Sequence, residues 1–144
     1  MADQIMTWHS LESEINRIYR KIAESGQKYD AIVGIVRGGI VPARMLASKS
    51  RMNMKEIYCL TIEKIGEERI LAMEITKDLS GKSILLVEDV LETGESLKIG
   101  RDYLHNEKGA NVATAALYVT PDSRTVPDFY LRAVDEIPVF PWEQ

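Results

Sequence analysis

The segment Ile84-Leu85-Leu86-Val87-Glu88-Asp89-Val90-Leu91-Glu92-Thr93-Gly94-Glu95-Ser96-Leu97 constrains the fold more than any other part of this chain. Four apolar residues in a row, Ile84 to Val87, predict a strand covered on both faces, because a strand with one wet face alternates. Glu88 and Asp89 follow where that strand leaves the sheet. Open α/β sheets bind their ligands at the carboxyl ends of their strands. Two acids in that position suit the hydroxyls of a sugar. Thr93, Gly94 and Ser96 then form a loop feeding a helix, and backbone N–H groups at a helix N-terminus attract phosphate. A diol reader and a phosphate cradle a few residues apart imply a ribose phosphate ligand.

The remaining pattern alternates strands with helices. Leu11, Ile15, Ile18, Tyr19 and Ile22 recur on one helical face, with Ser10, Ser13 and Glu14 as the N-cap region and Gly26 as the stop. Ala31 to Val36 reads as a buried strand, Gly38-Gly39 as a turn, and Val41 to Ala47 as a short helix with Pro42 in its first turn. Tyr58 to Ile62 and Ile70 to Ile75 read as strands around a polar flap, Glu63 to Arg69, centred on Gly66. Asp78 to Lys82 is a loop. A helix is expected from Ser96 to Lys108, closed by Gly109, then a strand from Asn111 to Val119. Beyond Thr120, the residues Pro121, Pro127, Pro138 and Pro141 predict loops and short edge strands. This order predicts one α/β domain over residues 1–144, a central parallel sheet with helices on both faces.

Composition excludes several functions. The net charge of −4, with Lys and Arg scattered among acids, argues against a nucleic-acid surface. No apolar run is long enough to span a bilayer and no signal-peptide pattern opens the chain, so the cytoplasm is the expected location and no membrane partner is expected. The single cysteine, Cys59, excludes an internal disulfide, and its apolar surroundings predict a buried thiol. His9 and His105 lack companions at metal-ligand spacing, and His105 suits a helix C-terminus. A receiver-like signalling domain also carries acids at strand ends, but it explains neither Gly38-Gly39 nor Thr93-Gly94.

The Ile84–Leu97 segment resembles the signature of the type I phosphoribosyltransferases, which bind phosphoribosyl pyrophosphate (PRPP). Ile32-Val33-Gly34-Ile35-Val36-Arg37-Gly38-Gly39-Ile40-Val41-Pro42-Ala43 is similar to the pyrophosphate loop of the xanthine-guanine and hypoxanthine branch. The ending Val139-Phe140-Pro141-Trp142-Glu143 resembles the tail of small microbial purine phosphoribosyltransferases. The resemblance implies the type I phosphoribosyltransferase fold, with a small hood made by the flap and the tail. It implies transfer of phosphoribosyl from PRPP to a nucleobase, magnesium as cofactor, and a homodimer or higher homo-oligomer. A PRPP-sensing regulator on the same fold, without turnover, is the alternative.

Roles carried over from the family fall on individual residues. Glu88 and Asp89 would hold the ribose hydroxyls, and Asp89 would help place magnesium, a hard cation that prefers oxygen. Val90, Leu91, Thr93, Gly94, Glu95 and Ser96 would form the rest of the PRPP loop, and Ser96 would also serve as a helix cap. Glu95 replaces a neutral residue there, so its carboxylate is expected to point away from the phosphate. Glu92 stands where 6-oxopurine enzymes carry Asp for proton transfer at N7; it is either that group or an exposed loop glutamate. Arg37 and Gly38 would bind pyrophosphate beside a non-proline cis peptide at Val36–Arg37. Arg69 would be a further pyrophosphate arginine, while Lys64 reads as surface charge. The base would meet Ile137 and Pro138, with Thr120 in place of a lysine that contacts the purine 6-oxygen. Ile137 replaces an aromatic ring, and Pro138 has no N–H to donate.

Overall fold

Strand residues that alternate between two apolar layers set the architecture. In the computed structural model, which describes residues 4–49, 52 and 54–144, β1 (Ala31–Val36) sends Ile32 to one face and Val33 and Ile35 to the other. β4 (Ser83–Leu91) does the same, with Leu85 and Val87 on the first face and Ile84 and Leu86 on the second. The first layer is closed by α1 (Trp8–Glu24), through Leu11, Ile15, Ile18 and Ile22, and by α2 (Ile40–Ala47), through Ala43 and Leu46. The second is closed by α3 (Glu95–Asp102), through Leu97, and by Leu104 just beyond it. Burial on both faces is why the strands read as unbroken apolar runs.

β2 (Ile57–Ile65), β3 (Glu68–Met73), β5 (Asn111–Val119) and β6 (Arg132–Ala133) complete a six-stranded sheet of order β3-β2-β1-β4-β5-β6. All neighbours are parallel except β2 and β3, which form an antiparallel hairpin around Gly66. The sheet is therefore mixed rather than wholly parallel, because a hairpin turn cannot reverse into a parallel neighbour. From β1 the chain crosses to β2 on one side; from β4 it crosses to β5 on the other. The carboxyl ends of β1 and β4 thus flank a topological switch point, where a crevice opens in sheets of this kind.

Three local expectations are corrected. The α1 cap is Thr7, whose hydroxyl accepts the Ser10 N–H at 3.0 Å; Ser10 lies inside the helix. The helix after β4 is regular only to Asp102 and continues as a π turn, Tyr103–Glu107. That widening accompanies the buried Tyr103 hydroxyl's bond from the Ile75 N–H at 3.1 Å. Cys59 is exposed, because β2 buries Leu60 on one face and leaves Ile57 and Cys59 exposed on the other.

Candidate active site

The switch point is built from two loops. On the β4 side, Glu88 and Asp89 end the buried part of the strand, and Gly94 starts α3 in the left-handed conformation, φ 81°. Gly94 has no side chain to cap the helix, and the Glu95 N–H makes a long bond to Thr93 Oγ1 at 3.3 Å, so the end of the helix can still turn to an outside acceptor. A β-carbon there would lie 2.7 Å from Thr125 Cβ, so glycine is required by space as well as by φ. On the β1 side, the peptide Val36–Arg37 is cis, as the family resemblance implies. Gly38 packs so closely on Asp89 that a β-carbon would collide with its carboxylate. Arg37 is exposed beside it.

A cavity of about 200 Å³ opens along the β4 loop. Its wall includes Glu88, Asp89, Val90, Leu91, Glu92, Thr93, Gly94, Glu95 and Ser96, every member of the predicted β4 loop. Arg69 joins them from β3: its guanidinium donates to Ser96 Oγ at 3.0 Å and stands 3.5 Å from a Glu95 carboxylate oxygen. Glu95, half exposed, is thus paired with an arginine at the cradle. Ser96 is not the cap; it lies inside α3 and accepts from Arg69. Arg37 and Gly38 stand outside this wall, and Arg69 reaches the Glu95–Ser96 loop.

Electrostatics mark Glu88 and Asp89. Burial first, then the neighbouring Asp89 charge, raises the Glu88 carboxyl well above its ordinary range. Burial raises Asp89 as well, against the Val90 N–H that donates to its Oδ1 at 2.7 Å. Two adjacent acids that resist ionisation together call for a cation or for hydrogen-bond donors from a ligand. Hard oxygen donors of this type fit magnesium, which binds through one or two carboxylates and completes its shell with water and phosphate oxygens.

A model of the phosphoribosyl transferase domain matches residues 1–144. The chain belongs to the phosphoribosyl transferase domain family. It is similar to the xanthine-guanine phosphoribosyltransferase of Nitratidesulfovibrio vulgaris (strain DP4), 26% identical over 142 residues, covering 96% of this chain and 83% of the relative. It also resembles the purine phosphoribosyltransferase of Pyrococcus horikoshii, with a TM-score of 0.86, 29% identity, and coverage of 99% of this chain and 95% of that one. The fold recurs in a Helicobacter pylori xanthine-guanine-hypoxanthine phosphoribosyltransferase, with a TM-score of 0.81, 18% identity, and coverage of 97% and 92%.

Within the phosphoribosyltransferase frame, the two predicted base residues part company. Ile137 lines the cleft, whereas Pro138 is buried and faces a second cavity beside α1. Thr120 sits at the β4 loop: its hydroxyl donates to the Glu92 carbonyl at 2.8 Å and its N–H to the Leu91 carbonyl at 2.9 Å. Three cleft residues escaped the sequence reading as site members: Leu97, Phe140 and Glu143. Glu143 accepts the Phe140 N–H at 3.1 Å, and its charge adds to the upward push on Asp89. The motif Phe140-Pro141-Trp142-Glu143 was visible in the sequence, but which of its side chains meets the cleft was not. The loop after β5 also braces the site, with the Arg124 N–H donating to the Thr93 carbonyl at 3.0 Å.

Proposed function

We propose that this protein transfers the 5-phosphoribosyl group from PRPP to a ring nitrogen of a purine base and releases pyrophosphate. One observation carries the reading: paired acids, a left-handed glycine loop and the Arg37–Gly38 loop converge on one switch point in a phosphoribosyltransferase fold. Glu88 and Asp89 hold the ribose hydroxyls, and the N–H groups from Thr93 to Ser96 hold the 5′-phosphate. Arg37, Gly38 and Arg69 attract the anionic end of PRPP. Magnesium, when bound beside Asp89, supplies charge neutralisation for pyrophosphate. The C1–O bond breaks with its electron pair leaving on pyrophosphate, and the purine nitrogen bonds to C1 through an oxocarbenium-like state. Glu92, exposed at the mouth of the cleft, accepts the proton that the purine nitrogen loses. The β2–β3 hairpin and the tail form the hood that keeps water from the cation.

Ile137 gives the base an apolar wall, backed by the buried ring of Phe140. The tail offers few donors to a 6-oxygen: Pro138 has no N–H, the Val139 N–H is spent on the Gln4 carbonyl at 2.7 Å, and that of Phe140 on Glu143. With Thr120 in place of lysine and Ile137 in place of a ring, 6-oxopurines bind weakly, since stacking on an aromatic is worth roughly 1–3 kcal/mol. Partners on this reading are PRPP, the base and further copies of this chain, in the cytoplasm, with no nucleic acid or membrane. Among the described residues no helix is long and apolar enough to cross a membrane.

The deciding experiment incubates the protein with PRPP, magnesium and one base at a time, following pyrophosphate and nucleotide. Equimolar release is expected with at least one purine, and slow use of guanine, xanthine and hypoxanthine that Thr120→Lys with Ile137→Trp improves. PRPP binding without pyrophosphate release from any base would make the protein a sensor instead.

A further inference from the structure

Outside the cleft, the chain buries a carboxylate. Glu14, on the core-facing side of α1, is only 8% exposed. It accepts the Tyr118 hydroxyl at 2.7 Å and pairs with Arg132 Nη2 at 2.7 Å, while Arg17 stands 3.9 Å away. Arg132 also lies over the Tyr118 ring, 4.8 Å from its centroid. Burial of such a group is costly unless its partners are well placed, so this arrangement fixes Tyr118 tightly. Burial pushes the Glu14 carboxyl up, yet the Arg132 and Tyr118 hydrogen bonds and the arginine charges outweigh it and leave it lowered. Tyr118 is raised, by burial and then by Glu14. Near neutral pH the bond therefore joins an ionised Glu14 to a protonated Tyr118.

Tyr118 also reaches toward the cleft. Its ring stacks on Phe140 at 6.3 Å between centroids, and Phe140 stacks on Trp142 at 4.6 Å with the planes 5° apart. Phe140 is fully buried and forms part of the cleft wall, along with Ile137 and Glu143. The backbone of that wall is tied to residues 4–6 through Val139, but those bonds leave the side-chain position of Phe140 to its packing on Tyr118 and Trp142. We propose that Glu14, Tyr118 and Arg132 are positioning residues for the purine: they hold Phe140, and through it the tail wall, at the distance the base requires, without touching substrate. The kinetic side of this proposal rests on the phosphoribosyl transfer assigned above; the structural side does not.

Tyr118→Phe removes the hydroxyl and keeps the ring, and Glu14→Gln keeps the shape and removes the charge. Each is expected to raise KM for the purine about fivefold or more while KM for PRPP stays within about twofold. Hydrogen exchange of amides 139, 140 and 142–144 should quicken about tenfold, with β4 unchanged. The double variant should be less impaired than the sum of the two single effects, since both act on the same Tyr118–Glu14–Arg132 unit. If either variant fails to fold, the other is judged by the same measurements. Equal rises in both KM values, unchanged KM for the base, or unchanged tail exchange would each overturn the proposal. If the wild-type protein turns over no base, the transfer reading falls, and tail exchange alone decides whether the strut exists.

Discussion

Glu88 sets function against stability. Its carboxyl titrates well above the ordinary range because it is buried and faces Asp89. The folded protein therefore keeps this proton to higher pH than the unfolded chain does. Between the two values the native state binds more protons, so this group makes stability fall as pH rises through that window. The cost grows as pH climbs through that window and is absent below the ordinary carboxylate range, where both states are protonated. Glu88→Gln should accordingly melt a few degrees higher than the wild type at pH 7, with the gap closing in acid. The same variant should lose PRPP affinity about tenfold, as a hydrogen bond to a charged acceptor is worth roughly 1.5–3 kcal/mol. Calorimetry across pH beside PRPP titration checks both signs; a lower melting temperature at pH 7 would contradict the argument.

Among elements, the β2–β3 hairpin is tied to the start of α3 by one side chain, Arg69, through Ser96 and Glu95. The link is partly solvated, so it adds under about 1 kcal/mol to stability. Facing a phosphate, the same guanidinium makes charge-assisted bonds worth more. Arg69→Ala should leave the melting temperature nearly unchanged yet raise KM for PRPP roughly ten- to hundredfold; a shift in melting without a change in KM would reduce Arg69 to a brace. The parts of the site that could be read from sequence are those that are local. β4, its acids and the Thr93–Ser96 loop are contiguous, and their apolar run and glycine are direct traces of burial and of a left-handed turn. The Ile137, Phe140 and Glu143 wall was not legible as a unit, because it is placed by Tyr118 and by residues 4–6, across most of the chain. Cys59 misled for a related reason: apolar neighbours along β2 do not reveal which of its faces lies open.

At the scale of the whole molecule, the β1 and β4 loops lie on both sides of the switch point, so a ligand that bridged them should stabilise the fold as a unit. With PRPP and magnesium at about a hundred times the dissociation constant, mass action adds about 2.7 kcal/mol. For a protein near this size that is a rise in melting temperature of roughly 5–10 °C. PRPP without a divalent cation should give a much smaller rise, and equal shifts with and without magnesium would remove the metal from the site. The two ends of the described chain meet at the tail wall. The Met6 N–H bonds to the Val139 carbonyl at 2.9 Å, the Val139 N–H to the Gln4 carbonyl, and the Gln144 amide to the Met6 carbonyl at 2.8 Å. This seam has a consequence in time. Synthesis runs from the amino end, so β4 and its phosphate loop leave the ribosome well before residues 137–143. A nascent chain can expose its acids and its glycine turn, but this side of the cleft stays open until residues 137–143 emerge and pair with residues 4–6, which were made more than a hundred residues earlier.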